Sequence, residues 1–151
     1  MTLIKSISGI RGIIGDGLDY ETIEKFAIGF VQIQEPGPIL IARDGRSHGL
    51  ELSEKLCAFL SSVGKTVINC DIIPTPTAQF IVKKKKCCGG IVITASHNPA
   101  DWNGMKFIDK DGTFIGPDKY QKLLDITSIE NNTKNDSSYS KAIINYNDQA
   151  I

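Results

Sequence analysis

Residues Gly89 to Phe107 read GGIVITASHNPADWNGMKF, and the fold class depends on how this stretch divides. Gly90–Thr94 is an apolar run of strand length, rich in β-branched side chains, and reads as a buried strand. Beyond it the chain places a hydroxyl, an imidazole and an amide in consecutive positions, Ser96, His97 and Asn98, before Pro99. In an open α/β sheet ligands bind beyond the carboxyl ends of the strands, so this polar loop marks a candidate site.

Working upstream, the same alternation recurs. Asp19 is placed to cap a helix in which Ile23, Phe26, Ala27, Phe30 and Val31 form one apolar stripe. Pro38–Ala42 reads as a short buried strand. After the polar turn RDGRSHG, Leu52, Leu56, Phe59, Leu60 and Val63 recur at helical spacing up to Gly64. Thr66–Ile73 gives another strand, and Pro74–Thr77, PTPT, opens a short helix through Phe80 and Val82. Strands alternating with helices predict a three-layer α/β/α domain with right-handed crossovers.

Downstream, Met105–Ile115 reads as two short strands about a type I′ turn at Asp111-Gly112. The sheet is therefore expected to be mixed and mostly parallel, with this C-terminal β-hairpin. Pro117 suits the first position of a last helix carried by Tyr120, Leu123, Leu124 and Ile126. Residues 128–140 have almost no apolar content and read as a flexible segment. The last eleven residues, KAIINYNDQAI, read as one more strand with no evident core partner, an ending expected of a domain boundary in a larger protein.

The 151 residues amount to one domain with a substantial core. Seventeen basic residues cancel 17 acidic ones, which gives no reason to expect a nucleic acid or an anionic membrane as partner. No apolar run approaches the roughly 20 residues that cross a bilayer, and the N-terminus lacks a secretory h-region, so a cytoplasmic location is expected. Cys57, Cys70, Cys87 and Cys88 contain no CxxC pair and read as reduced thiols, with Cys57 and Cys70 as small core fillers.

Several polar loops could converge on one sheet edge: RDGRS, PTPT, TASHNP and the N-terminal SGIRG. They carry Arg11, Arg43, Arg46, Ser96, His97 and Lys106, with Gly9, Gly12, Gly45 and Gly104. Guanidinium forks, an ammonium and exposed backbone amides together describe a phosphate site. Taken singly, Arg11 and Arg46 read as surface charges, Arg43 and Asp44 as a local ion pair, and His48 as a solvated polar residue at a helix start. Trp102 reads as a lid over apolar surface, and the Lys83–Lys86 run as the wet end of a helix rather than a nucleic-acid contact. Asp109-Lys-Asp111-Gly112 fails as a calcium loop, since Tyr120 stands where the bidentate glutamate belongs. A serine hydrolase is not expected here, because neighbouring side chains in extended backbone point apart and there is no GxSxG elbow.

Taken together, these motifs resemble the first domain of the α-D-phosphohexomutases, the phosphoglucomutase, phosphomannomutase and phosphoglucosamine mutase family. The likeness runs in order along nearly the whole chain: SGIRG at Ser8–Gly12, RDGRS at Arg43–Ser47, PTPT at Pro74–Thr77, and the signature-like stretch from Gly89 to Lys106. It implies that Ser96 is a phosphoserine that exchanges its phosphoryl group with a hexose phosphate through a bisphosphorylated sugar. Phosphate would thereby move between C1 and C6 of glucose, mannose or glucosamine phosphate. The resemblance further implies His97, Lys106 and Arg11 near the transferring group, and Arg43, Arg46, Asn98 and Asn103 as substrate or phosphate contacts. Magnesium is the implied cofactor, held here only by the phosphate on Ser96.

The chain departs from the family pattern in its KSISGIRG lead-in and in Ala42 before RDGR. It also carries no aspartate-rich magnesium loop and no sugar-selecting or C-terminal phosphate loop, which the family keeps on domains II–IV. The expectation is therefore a domain that does not complete turnover alone and works with domains II–IV of a longer chain. The alternative reading is a stand-alone module that binds phosphate or a phosphosugar without chemistry.

Overall fold

Ile39 and Ile41 face one core and Leu40 and Ala42 another, as the two-residue period of a strand buried on both sides requires. In this computed structural model, which describes residues 3–128 and the strand at 143–145, twelve elements follow in order. They are β1 (Leu3–Ser6), β2 (Gly9–Ile14), β3 (Gly17–Leu18), α1 (Tyr20–Ile33), β4 (Ile39–Arg43) and α2 (Gly49–Ser62). Then come β5 (Val67–Ile72), α3 (Thr75–Lys84), β6 (Gly89–Ile93), β7 (Trp102–Asp109), α4 (Pro117–Ser128) and β8 (Ile143–Asn145). Among the described residues no helix is long and apolar enough to cross a membrane.

The strands form one eight-stranded sheet in the order β1-β2-β7-β6-β4-β5-β8, with β3 beside β2. Strands β6, β4, β5 and β8 run parallel, while β7, β2 and β1 continue the sheet antiparallel. The sheet is mixed, as expected. The terminal strand also has a partner that the sequence does not reveal, since β8 lies parallel to β5 with Val67 opposite Ile143.

Phe26 and Phe30 of α1, Leu56 and Leu60 of α2, and Leu123 of α4 fill the larger core against Ile91, Ile93 and Phe107. Phe30 and Phe107 meet with ring centroids 5.2 Å apart, a tilted contact. Ala78, Ile81 and Val82 of α3 cover the other face over Val92 and Ile108. Helices on both faces make the three layers. Asp19 caps α1 by accepting the Thr22 amide at 2.8 Å, as its position predicts.

The C-terminal hairpin takes a different form from the one expected. Trp102–Asp109 is one long strand, and only a single bridge, Ile108 to Phe114, returns along it. Gly112 has φ +87° while Asp111 stays on the negative side, so the turn is not type I′. The Gly112 amide donates to Asp109 O at 2.9 Å and the Asp109 amide to Thr113 O at 2.7 Å, closing a three-residue loop instead. Of the segment 128–140 only Ser128 is described, and it ends α4. The rest of that segment lies outside the described residues.

Candidate active site

Arg11 does not lie in a loop: SGIRG runs into β2, where Arg11 pairs with Gly104 of β7. The two strands approach so closely that a side chain on Gly104 would put its Cβ 2.1 Å from Ile10 O and 2.9 Å from Arg11 Cγ. Gly9 is similar, with φ +122° and Met105 O in the place a Cβ would take. The glycines of SGIRG and NGMK thus let β2 press onto β7, which puts Arg11 and Lys106 on one pocket.

The TASHNP loop leaves β6 and returns as β7. Ser96 has φ +55°, the left-handed region that side-chain-bearing residues rarely occupy. Its amide donates to Thr94 Oγ1 at 3.0 Å, and Thr94 in turn donates to Asp44 Oδ2 at 2.7 Å. The Asn98 amide closes the turn on Ala95 O at 3.1 Å. Asn98 Oδ1 accepts from Arg11 Nη1 at 3.0 Å, so strand β2 is tied to the turn. Ser8, Arg11, Thr94, Ser96 and Lys106 line a small pocket of about 50 Å³. Ser96 and His97 are exposed on the same turn. Lys106 stands 5.7 Å from the Phe114 ring centroid, half-buried.

Three other residues that the resemblance marks as ligand contacts make hydrogen bonds within the protein. Arg43 is 7% exposed; its Nε donates to the Asp71 carboxylate at 2.8 Å, joining β4 to β5, and its Nη1 reaches only the backbone carbonyl of Asp44 at 3.4 Å, so its ion pair is with Asp71 and not with Asp44. Asn103 is fully buried, with Oδ1 accepting the Gly104 amide at 2.9 Å and Nδ2 donating to His48 Nδ1 at 2.9 Å. Arg46 turns its guanidinium onto Asp44 and the carbonyls of Ser96, Asn98, Pro99 and Trp102. None of the PTPT side chains lines the pocket.

Asp44, Thr94 and His48 are the contributors that sequence reasoning passed over. His48 is half-buried rather than merely solvated. Because Asn103 spends its oxygen on Gly104, its amide nitrogen is the donor, which leaves Nδ1 of His48 as acceptor and Nε2 donating to Ala100 O at 3.2 Å. The legible signals were small: a threonine two places before Ser96, and an Asp-Gly-Arg turn at a strand end that suits an Asx bond. Here Asp44 Oδ1 does accept the Arg46 amide at 3.2 Å.

A pocket that gathers a guanidinium, an ammonium and hydroxyls around one strained serine suits an anionic group carried on, or presented to, that serine. Comparison with known proteins fits this geometry. Residues 3–135 match the family described as phosphoglucomutase/phosphomannomutase, alpha/beta/alpha domain I. The chain belongs to this family. A phosphoglucosamine mutase from Prochlorococcus marinus subsp. pastoris is 39% identical over 149 residues, covering 97% of this chain and 32% of its own. A phosphoglucosamine/phosphogalactosamine mutase from Sulfurisphaera tokodaii is 40% identical over 124 residues, covering 81% of this chain and 27% of its own.

Among solved structures, a phosphoglucomutase/phosphomannomutase family protein from Burkholderia thailandensis superposes with TM-score 0.70 at 27% identity, over 97% of this chain and 35% of that one. A Thermus thermophilus structure shares the fold with TM-score 0.80 at 23% identity, over 95% of this chain and 32% of that one. The chain spans about a third of the length of these family members.

Proposed function

We propose that this phosphohexomutase domain supplies the phosphoserine of an enzyme that moves phosphate between C1 and C6 of a hexose phosphate. The observation that carries the reading is Ser96 itself, exposed in a left-handed turn and lining one pocket with Arg11 and Lys106. In the forward half-reaction the bond from phosphorus to Ser96 Oγ breaks and one to a sugar hydroxyl oxygen forms, with the hydroxyl proton passing to a base. The sugar then carries two phosphates. In the return half-reaction the bond from the other phosphorus to its sugar oxygen breaks and one to Ser96 Oγ forms, that sugar oxygen taking a proton from the protonated base, which restores the enzyme and leaves phosphate at the second position.

Such a transfer needs positioning and compensation of charge on the equatorial oxygens. Arg11 and Lys106 offer that compensation, and Asn98 fixes the Arg11 fork. His97 stands on the same turn, where it can meet the sugar. Magnesium would add a Lewis acid at the phosphate. This chain fits it only partly: among the described residues no group of three or more His, Cys, Asp or Glu is arranged for a metal, so the seryl phosphate would be its one ligand here. The relatives above named phosphoglucosamine mutase favour glucosamine phosphate over glucose or mannose phosphate as substrate. The remaining ligands and the sugar-selecting groups are assigned to domains II–IV, and the location to the cytoplasm.

The test uses the full-length natural chain and a radiolabelled hexose bisphosphate. Label should enter Ser96, and Ser96→Ala should lose both label and turnover. Turnover surviving in Ser96→Ala would remove Ser96 from its role. Interconversion of hexose 1- and 6-phosphates by the isolated 151 residues at ordinary enzymatic rates would refute the need for further domains. Hexose phosphate binding without label or turnover in the full-length chain would make this a binding module instead.

A further inference from the structure

We infer that Arg46 is a positioning residue that holds Ser96 in its reactive geometry, and that it makes no contact with substrate phosphate. The inference deepens the reading of Ser96 as phosphoryl carrier and rests on it.

A guanidinium has five N–H donors. In Arg46 all five are occupied: Nε by Asp44 Oδ2 at 3.2 Å, Nη1 by Pro99 O at 2.6 Å and Trp102 O at 3.2 Å, Nη2 by Ser96 O at 2.9 Å and Asn98 O at 2.8 Å. None remains for a ligand, and the side chain is only 12% exposed. The Asp44 carboxylate compensates its charge, so the fork acts as a neutralised template for backbone carbonyls rather than as a cation held ready for an anion.

What the template shapes is the turn bearing Ser96. Asp44 Oδ2 accepts from both Arg46 and Thr94, and Thr94 Oγ1 accepts the Ser96 amide. Arg46 takes the carbonyl of the same serine. Ser96 is thus gripped at its amide and its carbonyl by groups that meet on one carboxylate. A non-glycine residue at φ +55° persists only where its surroundings over-determine it, and these bonds do so. Released, the turn relaxes toward ordinary backbone angles and the hydroxyl leaves the pocket that Ser96 lines with Arg11 and Lys106. A misplacement of about 1 Å costs roughly a hundredfold in rate.

The test compares Arg46→Lys, Thr94→Val and Ser96→Ala in the full-length natural chain. Lysine keeps the charge but has three donors without a fork, so it cannot span four carbonyls and Asp44. For Arg46→Lys we expect kcat to fall about a hundredfold with KM little changed, and amide hydrogen exchange to accelerate within residues 95–102. Thr94→Val, nearly the same shape, removes the grip on the Ser96 amide together with the Thr94 bond to Asp44 but leaves the Arg46 fork in place, so it should give a smaller kcat loss, with Thr94→Ser restoring it. If Arg46→Lys does not fold, the Thr94 pair decides, and wild-type kcat in Thr94→Val overturns the inference. A raised KM, near-normal kcat and unchanged exchange in Arg46→Lys would make Arg46 a phosphate contact and also overturn it. Ser96→Ala separates the two readings. If it is inactive while Arg46→Lys is wild-type, only the positioning role fails; if it is active, the proposed function fails first.

Discussion

Arg11 Nη1 lies 3.0 Å from the side-chain oxygen of Asn98, 87 residues away in sequence. The bond ties the strand that carries the cation to the turn that carries Ser96, and it fixes the plane of the guanidinium. Asn98→Ala therefore separates positioning from stability. The fold should lose about 1 kcal/mol, the net worth of one partly buried hydrogen bond. The phosphoryl transfer proposed for Ser96, followed in a single turnover of the full-length chain, should slow about tenfold, less than the roughly 10²–10³ lost when a stabilising donor is deleted outright. A variant that loses stability but transfers at the wild-type rate would show that Arg11 needs no such support.

Gly104 makes a second test, on the link from packing to site. Its missing side chain is what allows Ile10 O within 2.1 Å of the position a Cβ would occupy, and the obstacle is backbone rather than a flexible side-chain end. Gly104→Ala must push β2 away from β7. The expected cost is about 3 kcal/mol or more, at the severe end for single substitutions, read from urea unfolding. Because Arg11 sits opposite Gly104 in the register, the same change should also separate Arg11 from Ser96. A cost below about 1 kcal/mol would mean that the strand pair yields easily.

How much of this was readable beforehand differs by level. The layers were, because Ile39–Ala42 and Gly89–Ile93 are apolar at every position and the stripes of α1 and α2 have clear helical period. The strand at Arg11 was not, since β2 reads GIRGII, with two glycines and an arginine that mask its period, and it is completed only by β7 from far along the chain. At the site, Ser96, Arg11 and Lys106 were legible as residue types suited to phosphate. Their neighbours were not: whether an arginine serves a ligand or a carbonyl depends on what its donors meet, and Arg46 meets a loop some 50 residues downstream. The same holds for His48, whose two ring bonds go to residues 52 and 55 positions away.

At the opposite end of the sheet, Asp109 gives an acid-dependent prediction. Burial pulls its carboxyl upward, but hydrogen bonds from Lys119 at 2.8 Å, Gln34 at 3.0 Å and the Lys110 amide at 2.8 Å outweigh it, so the group titrates below its ordinary 3.8. With the folded value depressed, the unfolded chain takes up the proton first, so the stabilisation is full above 3.8 and is lost as pH falls through the lower folded value. Asp109→Asn should thus unfold about 1–3 kcal/mol more easily at pH 7. The gap between variant and parent should close as pH drops below 3.8, measured by denaturant titration across pH. A gap constant down to pH 2 would show that shape rather than charge sets the contribution.

The thiols supply the last prediction. All four cysteines are buried, and burial pushes Cys57 and Cys87 up to about 12 and Cys70 to about 11, with Cys88 raised as well. The thiolate is the reactive form, and at pH 8 a thiol titrating at 11 to 12 is ionised to roughly one part in 10³–10⁴. Their places agree: Cys57 and Cys88 belong to the larger core, Cys70 and Cys87 to the smaller. In the native protein at pH 8 a chromogenic disulfide reagent should therefore find almost nothing to react with. The same reagent in denaturant should count four thiols per chain. Any that react early should do so at the rate of local opening, and so be slowed by conditions that stabilise the fold. A thiol titrating within seconds in the native state, at a rate indifferent to stabilising salt, would place that cysteine at an accessible surface and contradict its assignment to the core.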